Sequence, residues 1–166
     1  MSTSQTTREV LIDAVAKFTA AASRVRGVSR IALIGSLTTP KPNPKDADVL
    51  VSIERDADIA KLAALGRKFK GQGQQFNLGA DIFLASLDGE YLGRTCSYRV
   101  CHPRVSCRGS SCGAGKYVCN DLRVVSLSRS LIAEPPLELW PQRVARCELP
   151  ADTASLLSES HGFRAA

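Results

Sequence analysis

IALIGSLTTPKPNPKDADVLVSI, residues 31–53, decides how this chain folds. The apolar run Ile31 to Ile34 ends in Gly35-Ser36, nine residues separate Ser36 from Asp46, and Asp46-Ala47-Asp48 leads into the apolar Val49-Leu50-Val51. Each run has the length and bounding residues of a buried strand, predicted at 29–34 and 47–53. The loop between them holds Pro40, Pro42 and Pro44, which exclude a helix and favour stiff, extended backbone. A link this short has no room for a helical crossover, so the two strands are expected as antiparallel neighbours. Side chains alternate along a strand, which puts Asp46 and Asp48 on one face. Two adjacent carboxylates repel, and a half-buried strand gains nothing from them unless a cation sits between. Hard oxygen donors suit Mg²⁺, which takes one or two carboxylates and keeps positions open for phosphate oxygens.

Outward from this stretch the pattern continues. Thr6-Thr7-Arg8-Glu9 reads as a capping box with Thr6 as N-cap. Val10, Leu11, Ala14, Val15, Phe18, Ala21 and Val25 follow on one helical face, and Gly27 is the expected stop. Beyond the second strand, Asp56 and Asp58 are N-cap candidates for a helix with Ile59, Leu62, Leu65 and Phe69 inward. Arg67, Lys68 and Lys70 fall in its expected last turn, and Gly71 and Gly73 are expected to end it. A third strand is expected at 77–85 and another at 122–127. Pro135-Pro136 and Pro141 bracket 137–140 as a short packed segment holding Trp140, the single tryptophan. The order is that of an α+β fold, a small mixed β-sheet with helices packed on one side. The expected organisation is a core over residues 1–90, a Cys-rich basic segment with C-terminal packing elements over 91–150, and a flexible Ser/Ala-rich tail over 151–166.

The apolar-Gly-Ser turn, the gap of nine and the Asp-x-Asp between apolar residues resemble the polymerase beta-type nucleotidyltransferase superfamily in its minimal form, over about residues 28–86. The resemblance implies that Gly35 and Ser36 contact a nucleoside triphosphate, that Asp46 and Asp48 bind two Mg²⁺ ions, and that Asp81, in LGADIFL, supplies a third carboxylate from a neighbouring strand. Glycine at 35 permits a tight turn and close approach of backbone to phosphate, and the Ser36 hydroxyl and N–H are donors for phosphate oxygens. Lys41 and Lys45 lie on the loop between turn and acids. An ordinary turn with two solvated strand-edge aspartates is the competing reading of the same residues.

Charge and cysteine content bear on partners. Of the net +6, residues 91–123 carry +5. A clustered excess of this kind suits RNA, DNA or nucleotide phosphate, and equally a plain basic surface. Cys96, Cys101, Cys107 and Cys112 fall within CSYRVCHPRVSCRGSSC beside His102, with Cys119 following. Four thiols at such spacing suit a structural zinc knuckle, although the spacings are not the usual C-x2-C pairs, and small buried thiols beneath a loop are the alternative. Cys147 reads as a plain thiol and His161 as a solvated tail residue. No apolar run reaches the roughly 20 residues of a membrane span and MSTSQTTREV is unlike a signal peptide, so a cytoplasmic protein without a membrane partner is expected.

The functional expectation is Mg²⁺-dependent transfer of a nucleoside monophosphate from a triphosphate to a hydroxyl of RNA, a small metabolite or a protein, releasing pyrophosphate. A partner protein would complete so small a site. The alternative is a catalytically weak nucleic-acid-binding or regulatory, antitoxin-like module on the same fold.

Overall fold

The computed structural model describes residues 4–96, 117–119 and 125–158. Helix α1 spans Thr7–Ala22 and begins with the expected capping box. Thr6 Oγ1 accepts from Glu9 N–H at 3.2 Å and Glu9 Oε2 accepts from Thr6 N–H at 2.7 Å. Strand β1, Val28–Ile34, pairs antiparallel with β2, Asp46–Ile53, and Ile34 stands opposite Asp48. Helix α2, Ile59–Gln74, is capped by Asp58, whose carboxylate accepts from Lys61 N–H. It carries the chain over to β3, Gly79–Ser86, which runs parallel to β2.

Strand β4, Tyr91–Thr95, returns antiparallel to β3 and is followed at one edge by β5, Val118–Cys119. On the other side β6, Leu137–Trp140, joins β1, and β7, Val144–Ala145, completes the sheet. Among the described residues this is one seven-stranded mixed sheet in the order β5-β4-β3-β2-β1-β6-β7. The protein is therefore α+β, as its strand and helix order implies.

One face of the sheet carries α1 and α2. Ile31, Leu33, Val49, Val51, Ile82 and Leu84 pack there against Leu11, Val15, Phe18, Leu62 and Phe69, and the rings of Phe18 and Phe69 stack at 5.2 Å. The opposite face presents Ala32, Ile34, Leu50, Phe83 and Ala85. That face is covered by Ile132 of the short helix α3, Arg129–Ala133, and by Val125 and Leu127. Helices thus lie on both faces, not on one. Strand β6 meets β1 with α3 placed across it: Arg30 of β1 donates to the carbonyls of Ile132 and Ala133.

Local expectations are corrected at several points. Helix α2 runs through Gly71 and Gly73 to Gln74, because interior glycine costs only about 1 kcal/mol each and burial of Leu62 and Phe69 outweighs it. Arg67, Lys68 and Lys70 consequently lie inside the helix. Residues 125–127 form no strand, and 122–124 lie outside the described residues. Leu137–Trp140 is packed, as expected, but as a strand. Its prolines flank the ladder rather than interrupting it, and Leu137 and Leu139 point into the core.

Within the expected loose tail, residues 151–158 are packed against the core. Helix α4, Ala151–Ala154, and a 3₁₀ turn, Ser155–Leu157, bury Thr153 and Leu156 completely. Residues 159–166 lie outside the described residues. Leu156 belongs to the main core, so Leu156→Ala is expected to cost about 2–5 kcal/mol. Urea unfolding of the variant checks this, and a loss below about 0.5 kcal/mol would show that the segment does not pack as described.

Candidate carboxylate site

Three strand ends meet at one end of the sheet. Strand β1 finishes there in a 3₁₀ turn, Gly35–Thr38, while β2 and β3 begin there. The parallel register sets Asp46 opposite Gly79 and Asp48 opposite Asp81. By alternation Asp46 and Asp48 share a face with Leu50, and Asp81 shares it with Phe83. That is the face away from α1 and α2, the one against which Ile132 of α3 packs. The three acids named from the sequence thus stand on one face at one end of the sheet. Asp46 is exposed, whereas Asp48 and Asp81 are half-buried.

Two glycines make room for them. Gly35 has φ +76°, a left-handed backbone that favours glycine, and a Cβ there would stand 2.5 Å from Asp48 Oδ2. A Cβ on Gly79 would collide with Asp46 Oδ1. Gly35→Ala is therefore expected to destabilise the protein by about 1–3 kcal/mol and to push the Asp48 carboxylate out of place. Denaturant unfolding measures the first effect and Mg²⁺ titration the second.

The turn is held by its own hydroxyls. Thr38 Oγ1 donates to Gly35 O at 2.7 Å and Thr39 Oγ1 to Ser36 O at 2.8 Å. Ser36 is half-buried in the turn that follows Ile34, the residue opposite Asp48. The proline loop that follows is anchored from below by Arg8, which is only 8% exposed. Its guanidinium donates to the carbonyls of Leu37, Thr39 and Lys41 and to the Asp152 carboxylate, with Nε 2.7 Å from Oδ2. Thr153 Oγ1 donates to Leu37 O as well. The C-terminal helix and α1 together therefore position the loop joining the Gly-Ser turn to the acids. Lys45 is tied at its backbone, where its carbonyl accepts from Gly79 N–H at 2.7 Å.

Electrostatics mark Asp48 as the centre of the site. Burial, then the Asp81 carboxylate and then Asp46 push its pKa up to about 6, against a smaller opposing pull from Arg94. Arg94, on β4, places Nη1 3.5 Å from Asp81 Oδ1. Sequence reasoning missed this residue, because β4 is joined to β3 by a local turn and carries no motif.

The donor set fits a magnesium ion in kind: three carboxylates, no thiol or imidazole with them among the described residues, and a glycine where any side chain would crowd Asp48. The carboxylates do not converge as they stand. Among the described residues no three His, Cys, Asp or Glu side chains form a ligand cluster. Asp46 leans on Gly79, Asp48 on Gly35 and Asp81 toward Arg94.

Of the proposed zinc ligands, Cys96 is buried just beyond β4, and Cys101, Cys107 and Cys112 lie outside the described residues with His102. Cys119 is half-buried, and Cys147 is an exposed thiol. Trp140 is partly buried against the core. No described helix is long and apolar enough to cross a membrane.

Residues 1–102 match a family of unknown function, DUF6932. The match takes in α1, the Gly-Ser turn, all three acids and Arg94, and the chain belongs to that family. No curated protein and no solved structure matches it.

Proposed function

We propose that this member of the DUF6932 family is a cytoplasmic, Mg²⁺-dependent nucleotidyltransferase, built on a nucleotidyltransferase-like α+β core. The observation that supports it most is the register Asp48 opposite Asp81 on parallel strands, with Asp46 on the same face and Gly35 against Asp48. Three carboxylates crowded at one sheet end, one of them held well above its usual pKa by burial and by the other two, form a site short of positive charge.

Bound magnesium supplies Lewis acidity toward phosphate oxygens and offsets the negative charge of the transferring phosphoryl group. Asp46, Asp48 and Asp81 would hold it. The Gly35–Ser36 turn offers backbone N–H groups and a hydroxyl to the triphosphate. In the transfer, the acceptor oxygen bonds to the α-phosphorus as the bond from that phosphorus to the bridging oxygen breaks. Pyrophosphate leaves with the electron pair, and the hydroxyl proton passes to Asp81 and on to water. The α2-side core and the Arg8 anchor keep turn and acids in fixed relation, which is the positioning such a reaction depends on.

The test is label transfer. Protein, Mg²⁺ and each α-labelled nucleoside triphosphate are mixed with a lysate of the host, beside an Asp46→Ala/Asp48→Ala double variant. Label on RNA, metabolite or protein is expected with the wild type and reduced at least about 100-fold with the variant. Equal labelling, or none with any of the four nucleotides, would overturn the reading. Salt-sensitive RNA binding that survives the double substitution would then favour the binding or regulatory module.

A further inference from the structure

The helix side of the sheet carries a charge pattern of its own. Helix α2 holds Lys61, Arg67, Lys68 and Lys70 and no Asp or Glu. Helix α1 adds Lys17 and no acid after Asp13, and Arg24 and Arg26 follow its end. Lys17 pairs with Asp13 at 2.7 Å and Arg26 with Asp56 at 3.5 Å, both at exposed positions where such pairs contribute little. Arg24, Lys61, Lys68 and Lys70 are exposed and make no ion pair among the described residues. Helical spacing sets Lys61, Leu65 and Lys68 on one stripe of α2.

Between the two helices this cationic surface is indented. A cavity of about 120 Å³ has Phe18, Ala21, Leu65 and Phe69 as its floor and Lys17 and Lys68 at its rim. An apolar cavity of about 150 Å³ holds one benzene ring, so this one takes a single apolar side chain. Gln72 lines it too, and its Oε1 is buried without a donor. The last torsion of that amide is soft, and turning it toward the cavity lets an incoming N–H satisfy the oxygen.

These features choose between occupants. Single-stranded nucleic acid stacks its bases on exposed rings, whereas Phe18 and Phe69 are only 4% and 2% exposed. A bilayer takes up protruding apolar side chains, and the exposed large ones described, Phe76 and Leu87, do not line the cavity. An acidic amphipathic helix suits both parts of the surface: its carboxylates meet the lysines and its apolar stripe enters the indentation. We propose that the α1–α2 groove docks an acidic amphipathic segment of a partner protein, with one apolar side chain seated between Lys17 and Lys68. The inference does not rest on the nucleotidyl-transfer reading, because the groove and the carboxylates lie on opposite sides of the sheet.

The probe is a fluorescein-labelled helical peptide of about 15 residues, with glutamates flanking leucines at helical spacing. It is titrated with the full chain by fluorescence anisotropy at low ionic strength, where exposed charges are least screened. Wild type is expected to bind it. Replacing the leucines by serine, or the glutamates by glutamine, is expected to weaken binding about tenfold or more. Lys61→Glu/Lys68→Glu should do the same with an unchanged melting temperature, and Ala21→Leu should weaken binding by filling the indentation with no change of charge. Asp46→Ala/Asp48→Ala should bind the peptide as wild type does, so docking and nucleotide transfer are read separately and either can fail alone. No binding by wild type, equal binding of the serine peptide, or binding by the lysine double variant within about twofold of wild type would overturn the proposal. Another occupant would overturn it as well: RNA or phosphatidylserine vesicles bound more tightly than the peptide, or self-association of the chain that the lysine double variant abolishes in sedimentation.

Discussion

Asp48→Asn is expected to abolish the proposed nucleotide transfer and, in metal-free protein at neutral pH, to raise stability. The expectation follows from the charge crowding at the site. Burial, Asp81 and Asp46 lift the Asp48 pKa from 3.8 to about 6. Between about pH 4 and pH 6 the folded protein then binds more protons at this position than the unfolded chain does. Stability contributed by the protonated form is present below pH 4 and is lost as pH rises through 6. The whole rise corresponds to at most about 3 kcal/mol, and the partial exposure of Asp48 reduces it. Asparagine has the same shape and carries no charge, so the variant avoids this loss.

Denaturant unfolding in chelator across pH 4–7 checks the expectation. Wild type should weaken over this range more than the variant, and the variant should be the more stable at pH 7. Saturating Mg²⁺ should reverse the order above pH 6, because an ion that binds only the folded state stabilises by mass action, about 2.7 kcal/mol at a hundredfold excess over Kd. The variant lacks the proposed central ligand and should gain little. A metal-free variant weaker than wild type at pH 7 would show that Asp48 is held by favourable contacts, contrary to the crowding of like charges described.

Arg8→Ala should be the most damaging single change away from the acids. Arg8 is buried, pairs with Asp152 through two nitrogens and donates to three carbonyls of the proline loop. Removing it leaves the Thr39 and Lys41 carbonyls and Thr153 Oγ1 without this donor and Leu37 O with Thr153 alone, at a cost of about 3–5 kcal/mol. Arg8→Lys should recover only part, since an ammonium has three donors and no planar fork. The acid limb of stability should change too. The hydrogen bond from Arg8, above all, holds the Asp152 carboxyl below its ordinary pKa. Its stabilising effect is thus present above about pH 4 and is lost as pH falls further. In the variant, this part of the acid sensitivity should disappear. Urea unfolding at pH 7 and pH 3 reads both effects. A loss under about 1 kcal/mol would mean that the loop holds its place without the anchor, and with it the relation of the Gly-Ser turn to the acids.

Several features of the fold are legible in the chain because they arise locally. The Thr6/Glu9 capping box involves residues three apart, and it forms as written. The β1–β2 pairing follows from a nine-residue proline loop that leaves no room for a crossover, and the shared face of Asp46 and Asp48 follows from strand alternation. The errors are equally physical. Gly71 and Gly73 resemble helix stops only until the burial of Phe69 is counted. The tail looked loose because Ser and Ala carry little hydrophobic signal, and Leu156 alone gives no period to read.

The sequence by itself therefore determined the α+β class, the acid pair and the turn that faces it. These depend on spacing along the chain, which no tertiary contact alters. Only the tertiary structure decided that β6 and β7 extend the sheet beyond β1, that α3 covers the opposite face, that Asp81 stands in register with Asp48, and that Arg94 joins them from β4. Likewise, nothing around Arg8 in the chain distinguishes it from a solvated residue in the first turn of a helix, yet Asp152 lies 144 residues away and closes on it at 2.7 Å. Such pairings depend on which arrangement buries the most apolar surface of the whole core. That is a property of the packed chain, and no local stretch of sequence contains it.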